Sequence, residues 1–159
     1  EASTDETRIV DCVSQAKWWS TRAQFERARR LTKDVCATLS KVPDLYRRKV
    51  EVGFTFRLGI HPNEEQLGKQ RNAPLPWESW LYDPDSPEKN YFSPKKLEEA
   101  LKLALEIGDG YILFWNYRAT WWLDNPDARP ADDAPMSDRN RYVPRAYWQA
   151  LENARASVQ

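Results

Sequence analysis

The stretch "GDGYILFWNYRATWW", residues 108–122, holds eight aromatic or branched apolar side chains in fifteen positions. Its apolar run, Tyr111-Ile112-Leu113-Phe114-Trp115, is far shorter than the roughly 20 residues a bilayer span requires. It is also too apolar for a strand facing water on one side, so it predicts a strand buried on both faces, as in parallel sheets. The polar triplet Asn116-Tyr117-Arg118 follows at once, and then the paired indoles Trp121 and Trp122. A buried strand that ends in polar groups, with large aromatics just beyond, reads as a strand delivering a ligand-binding rim.

The flanking pattern fits. Upstream, Ser93 and Pro94 predict a helix start, as N-cap and first-turn proline. Leu97, Ala100, Leu101, Ala104 and Leu105 recur at helical spacing, and Gly108 ends the run. Asp109-Gly110 then turns the chain straight into the strand. Further upstream, "VEVGFTFRL" (50–58) alternates as a second strand, with Gly53 marking a bulge or a close backbone approach. A first, weaker strand reads from Arg8 to Val13. After it, Thr21 and Gln24 have capping-box spacing. Phe25, Ala28, Val35, Cys36 and Leu39 are expected on the buried face of that helix, with Pro43 as its stop. Pro144 opens a last helix with Tyr147, Ala150, Leu151 and Ala154 inward. The order is βαβαβα, with short αβ turns and long βα loops at 59–92 and 118–143. Long loops at the carboxyl ends of parallel strands are where α/β barrels build their sites. The predicted fold is three consecutive βα units of a TIM-type (β/α)8 barrel, a partial barrel within this chain. Three strands cannot close one, so the remaining strands are expected from the same or another chain.

Composition narrows the function. Lysine plus arginine and aspartate plus glutamate each total 24 in 159 residues, giving no net charge. That balance argues against a nucleic-acid or anionic-membrane partner. His61 is the only histidine, and Cys12 and Cys36 match no zinc or redox spacing, so neither a metal nor another cofactor is expected. Two isolated buried thiols are expected, with a disulfide between them the alternative. Eight tryptophans exceed what a core of this size needs, so some should line a ligand surface. The first residue, Glu1, is compatible with a processed protein, a trimmed chain or a fragment, and a secreted or periplasmic location is favoured over the cytoplasm.

Several of these residues carry a resemblance. Lys89-Asn90-Tyr91-Phe92-Ser93-Pro94, then Asp109, Tyr111 and Trp121-Trp122, then Val143-Pro144-Arg145-Ala146-Tyr147, Ala150-Leu151 and Ala154-Arg155 form the signature. With Phe25-Glu26-Arg27-Ala28 and Val52-Gly53-Phe54, it spans most of the chain. It resembles the C-terminal part of barrel-type, glycoside-hydrolase-like proteins from polysaccharide-degrading bacteria. The resemblance implies a barrel acting on a polysaccharide or glycoside. Such proteins tend to carry glutamate where Tyr117 stands, and a Trp-x-Asp-like triplet where this chain has Arg57-Leu58-Gly59. The strand-end carboxylates are therefore missing here.

Glycoside hydrolysis usually needs two carboxyl groups about 5 to 9.5 Å apart. Among the loop carboxylates, Glu78 is the best candidate acid, because Trp77 and Trp80 beside it could desolvate it and raise its pKa. The expected substrate-binding wall is Asn116, Tyr117, Arg118, Trp121, Trp122, Arg57, His61 and Trp77. Indoles can stack on sugar faces, and the planar fork of Arg118 suits a carboxylate or sulfate on an acidic sugar. Two alternatives stay open: a non-catalytic carbohydrate-binding pseudoenzyme, and an aromatic-rich protein-interaction module.

Overall fold

A computed structural model describes residues 8–13, 20–58, 84–114 and 142–158. The protein is mixed α/β, with a three-stranded parallel sheet in sequence order. Strand β1 (Ile9–Val13) pairs with β2 (Val50–Phe56), and β2 pairs with β3 (Ile112–Phe114). Helix α1 (Arg22–Arg30) runs through a π-helical turn (Leu31–Val35) into α2 (Cys36–Leu39). A short α3 (Pro43–Lys49) leads into β2. Helix α4 (Pro94–Ile107) precedes β3, and α5 (Arg145–Ala156) comes last.

The central strand organises the molecule. Along β2 and its extension, Val52, Phe54, Phe56 and Leu58 are fully buried. Successive side chains on a strand point to opposite faces, so these four share one. They join a single core with Phe25 and Ala28 of α1, Leu97, Ala100, Leu101, Ala104 and Ile107 of α4, and Tyr147 and Ala154 of α5. Phe25 meets Phe54 edge-on, ring centroids 5.0 Å apart, and Phe56 packs against Phe92 at 5.7 Å. Three helices therefore cover the same face of the sheet. The intervening residues Glu51, Gly53, Thr55 and Arg57 lie on the other, and by register Val10, Cys12 and Leu113 lie there with them.

That arrangement corrects the reading of the third strand. Tyr111 and Leu113 are 42% and 48% exposed, so β3 is not buried on both faces. Among the described residues its strand partner is β2, and the helix layer packs on Ile112 and Phe114. β2 is the buried strand instead.

The first helix departs from its predicted stripe for a different reason. Phe25, Ala28 and Thr32 are buried in step, and the next buried residue is Ala37 rather than Cys36. A π turn inserts about one extra residue per turn, which rotates the following side chains. Val35, Cys36 and Leu39 consequently turn outward, and the expected buried thiol at Cys36 is exposed. The capping box is made from the glutamine side: Gln24 Oε1 accepts from the Thr21 amide at 3.1 Å and the Thr21 hydroxyl at 2.8 Å. Pro43 does not merely end a helix. It occupies the first turn of α3, where its missing N–H costs no hydrogen bond.

The two glycines flanking β3's approach are explained by close contact. A Cβ on Gly53 would stand 2.8 Å from Cys12 Sγ and 3.0 Å from the Tyr111 carbonyl oxygen. One on Gly108 would lie 2.7 Å from the Ala104 carbonyl oxygen and 3.0 Å from the Phe54 ring. Gly108 has an extended backbone, so it ends α4 by letting the chain press against β2, not by a left-handed turn. The left-handed residue is Gly110, at φ 88°.

Candidate functional site

The carboxyl end of the sheet is where β2 and β3 release the chain side by side, with Phe56 opposite Phe114. On the face that carries none of the described helices stand Thr55 and Arg57 at this end, each 3% exposed. Leu58 continues β2's alternation into the core, which turns Arg57 to the other side. Burial lowers the Arg57 guanidinium to about 10, because leaving water disfavours its charged form. Two residues below, the Thr55 hydroxyl oxygen is buried and finds no hydrogen-bond partner among the described residues. Its in-register neighbour on that face, Leu113, is half exposed.

Arg57 is the one expected binding residue that the structure describes. His61, Trp77, Glu78, Asn116, Tyr117, Arg118, Trp121 and Trp122 lie outside the described residues, as do Trp80 and Trp115. Thr55 was not among the expected site residues. Its signal was present in "VEVGFTFRL" as the one hydroxyl inside an otherwise apolar or aromatic alternation.

The described signature residues before α4 and α5 serve mainly to hold this end together. The buried Asn90 amide donates to the Tyr147 hydroxyl at 2.9 Å, and that hydroxyl donates to the Phe92 carbonyl at 2.8 Å. The segment ahead of α4 is thereby fastened to α5. Ser93 Oγ caps α4 by accepting from the Lys96 amide. The Lys96 ammonium sits 3.5 Å from the centre of the Tyr91 ring, a cation–π contact, and burial lowers its pKa. Burial also raises the Tyr91 phenol, against an opposing hydrogen bond with Ser20.

At the amino end of the sheet, Asp109 plays the corresponding part. Its Oδ2 accepts from the Val52 amide at 2.8 Å, and its own amide donates to the Val52 carbonyl at 2.9 Å. The Arg29 guanidinium donates to Oδ1 at 2.8 Å, and the Lys33 ammonium lies 3.8 Å from Oδ2. Burial works against its charge, but the Val52 amide and the two cations together hold its carboxyl below the ordinary range. Nearby, Glu26, Arg29, Arg30, Lys33, Asp34, Arg47 and Ile107 line a concavity of about 480 Å³. Its charges are largely spoken for: Arg29 and Lys33 engage Asp109, Glu26 meets Arg22, and Arg47 meets Asp44.

Among the described residues, no three His, Cys, Asp or Glu side chains converge to hold a metal ion. No helix among them is long and apolar enough to cross a membrane. Comparison of the chain with protein-family models, with curated proteins and with solved structures finds no match in any of the three.

Proposed function

We propose that this chain is a run of three βα units of a (β/α)8-type, glycoside-hydrolase-like barrel, and that it supplies part of a saccharide-binding wall. One observation carries the reading: three helices share one face of a sequential parallel sheet, while the other face bears Thr55 and Arg57 at its carboxyl end. A barrel wall needs helices outside and functional side chains inside, at the strand ends.

In this reading the site residues are Arg57 together with His61, Trp77, Asn116, Tyr117, Arg118, Trp121 and Trp122. The proton-transfer carboxyls come from further barrel strands, with Glu78 the one candidate within this chain. A non-catalytic, sugar-binding role is the second reading, and Arg57-Leu58 favours it, because β2 ends in a cation where hydrolysis would call for a carboxylate.

The test is a binding screen of the full chain against neutral and anionic oligosaccharides, read by isothermal calorimetry, with Trp122→Ala alongside. Saccharide binding that weakens about fivefold or more in the variant, the effect of losing roughly 1 kcal/mol of aromatic contact, supports the reading. If no oligosaccharide binds the unsubstituted chain at millimolar concentration, the reading is wrong.

A further inference from the structure

We infer that the outer face of α1, the π turn and the α2–α3 corner docks on an anionic lipid surface, with its cations on the headgroups and its exposed aliphatic side chains in the acyl boundary. The inference goes beyond the saccharide reading and stands independently of it.

Charge is segregated along the chain. Residues 22–49 hold nine arginines and lysines against three carboxylates, so the neutrality of the whole sequence conceals a basic segment. Arg27, Arg30, Lys41 and Arg48 are exposed, and their side chains have no internal partner among the described residues. The same segment exposes aliphatic side chains: Leu31, Val35, Leu39, Val42 and Leu45 are 43–81% exposed. Arg27, Leu31, Val35 and Leu39 are spaced by four along the helix and its π turn, so they neighbour one another on its outward face. Leu39 then leads into the corner between α2 and α3, where Lys41, Val42 and Leu45 follow. Arg30 also lines, with Arg29, Lys33 and Arg47, the concavity of about 480 Å³, in which cations outnumber the carboxylates of Glu26 and Asp34. That recess has room for a phosphate headgroup.

The chemistry of the face selects its occupant. A second copy of the chain would set the same unpaired cations against each other, and like charges across an interface are costly. Sugars and nucleic-acid bases stack on aromatic rings, but the exposed apolar residues here are all aliphatic. Leucine and valine are also under-represented among the anchors of protein interfaces, where tryptophan, tyrosine and arginine dominate. Lysines and arginines around protruding aliphatic side chains are instead what an interfacial surface uses: the cations meet anionic headgroups and the apolar groups enter the acyl boundary. α3 leads straight into the start of β2, so the α2–α3 corner lies at the amino end of the sheet. A chain docked there keeps the carboxyl end of the sheet clear of the bilayer.

The experiment is co-sedimentation of the full chain with vesicles of phosphatidylcholine alone and of phosphatidylcholine mixed with phosphatidylglycerol. The expected result is that the mixed vesicles retain it about tenfold or more tightly than the neutral ones, and that added salt weakens the retention. Lys41→Glu and Arg48→Glu should each weaken it about fivefold or more, the equivalent of roughly 1 kcal/mol per cation near an anionic surface. Leu39→Ser separates insertion from charge alone. It should weaken vesicle binding severalfold, leave any binding to soluble polyglutamate as it was, and leave the melting temperature unchanged because the side chain is exposed. Equal retention of the unsubstituted chain by neutral and mixed vesicles, or by neither, overturns the inference. Mixed-vesicle binding that Leu39→Ser does not alter overturns it too, and would assign the face to an acidic protein. A dimer that Leu39→Ser dissociates in sedimentation velocity would assign the face to a second copy, with the same consequence.

Discussion

Replacing Asp109 by alanine should destabilise the protein by about 3 kcal/mol, because one carboxylate joins three elements. The bond from the Val52 amide, at 2.8 Å, is charge-assisted and only part exposed, worth roughly 1.5–3 kcal/mol. The Arg29 pair is about a third exposed on the arginine side, so it adds nearer 0.5–1 kcal/mol. Lys33, at 3.8 Å, adds little. For a chain of this length, a loss of about 3 kcal/mol lowers the melting temperature by roughly 6–12 °C. Asp109→Asn isolates the charge, since its amide oxygen can still accept from Val52. The carboxyl's folded pKa is depressed, so its stabilisation is present above the unfolded value of about 3.9 and is lost as pH falls through the folded one. Thermal melts of the parent and Asp109→Asn should therefore differ at pH 7 and converge as pH falls below about 4. Parallel curves across that window, or an alanine variant as stable as the parent at pH 7, would show that Asp109 does not clamp the turn to β2.

Three further substitutions test the packing. Gly53→Ala should cost about 1–3 kcal/mol in denaturant melts, because its Cβ meets Cys12 Sγ and the Tyr111 carbonyl; adding Cys12→Ala should recover part of the loss, and no recovery would place the clash elsewhere. Tyr147→Phe should cost about 1–2 kcal/mol by removing the hydroxyl that links Asn90 to the Phe92 carbonyl; a neutral result refutes that link. Leu39→Lys should change stability by less than about 0.5 kcal/mol, since the side chain is 81% exposed; a loss above about 1.5 kcal/mol would return Leu39 to the buried face and remove the π-turn rotation.

Much of this fold was legible because its elements follow single-period patterns. α4 was readable from Ser93 to Gly108, since its cap, stripe and stop agree. The parallel order followed from alternating strands and helices joined by short αβ turns. Two features were not legible. Apolar content at 111–115 signals burial, but it does not say which faces of the strand are covered; only the one-sided helix layer explains the exposure of Leu113. A π turn has no composition of its own, so "LTKDV" gave no warning that the helical phase would slip before Ala37. The site was half legible. Arg57 stood out as a strand-end residue, whereas Thr55 became a candidate only when its hydroxyl proved buried without a partner. The remaining expected site residues lie outside the described part of the chain.

The two cysteines test the register of β1 against β2, on which the face assignment rests. With Cys12 opposite Gly53, its sulfur lies on the helix-free face; Cys36 lies on α2, within the helical layer that covers the other face. The sheet stands between them, so they cannot form a disulfide within the folded chain. Both are free, and their environments differ: Cys36 is exposed, while burial, and then Asp11, raise the Cys12 thiol above its ordinary value. The thiolate is the reactive form, so Cys12 should be doubly slowed, by access and by protonation. Native-state labelling with a chromogenic disulfide reagent at pH 8 should modify Cys36 first and Cys12 at least about tenfold more slowly, with both reacting at one rate in denaturant. A slip of one residue in β1 would carry Cys12 to the helix face and Val13 to the other. A Cys12–Cys36 cross-link recovered by mass spectrometry from the oxidised native protein would demonstrate that slip, and the face that holds Thr55 and Arg57 would then lack the β1 side described here.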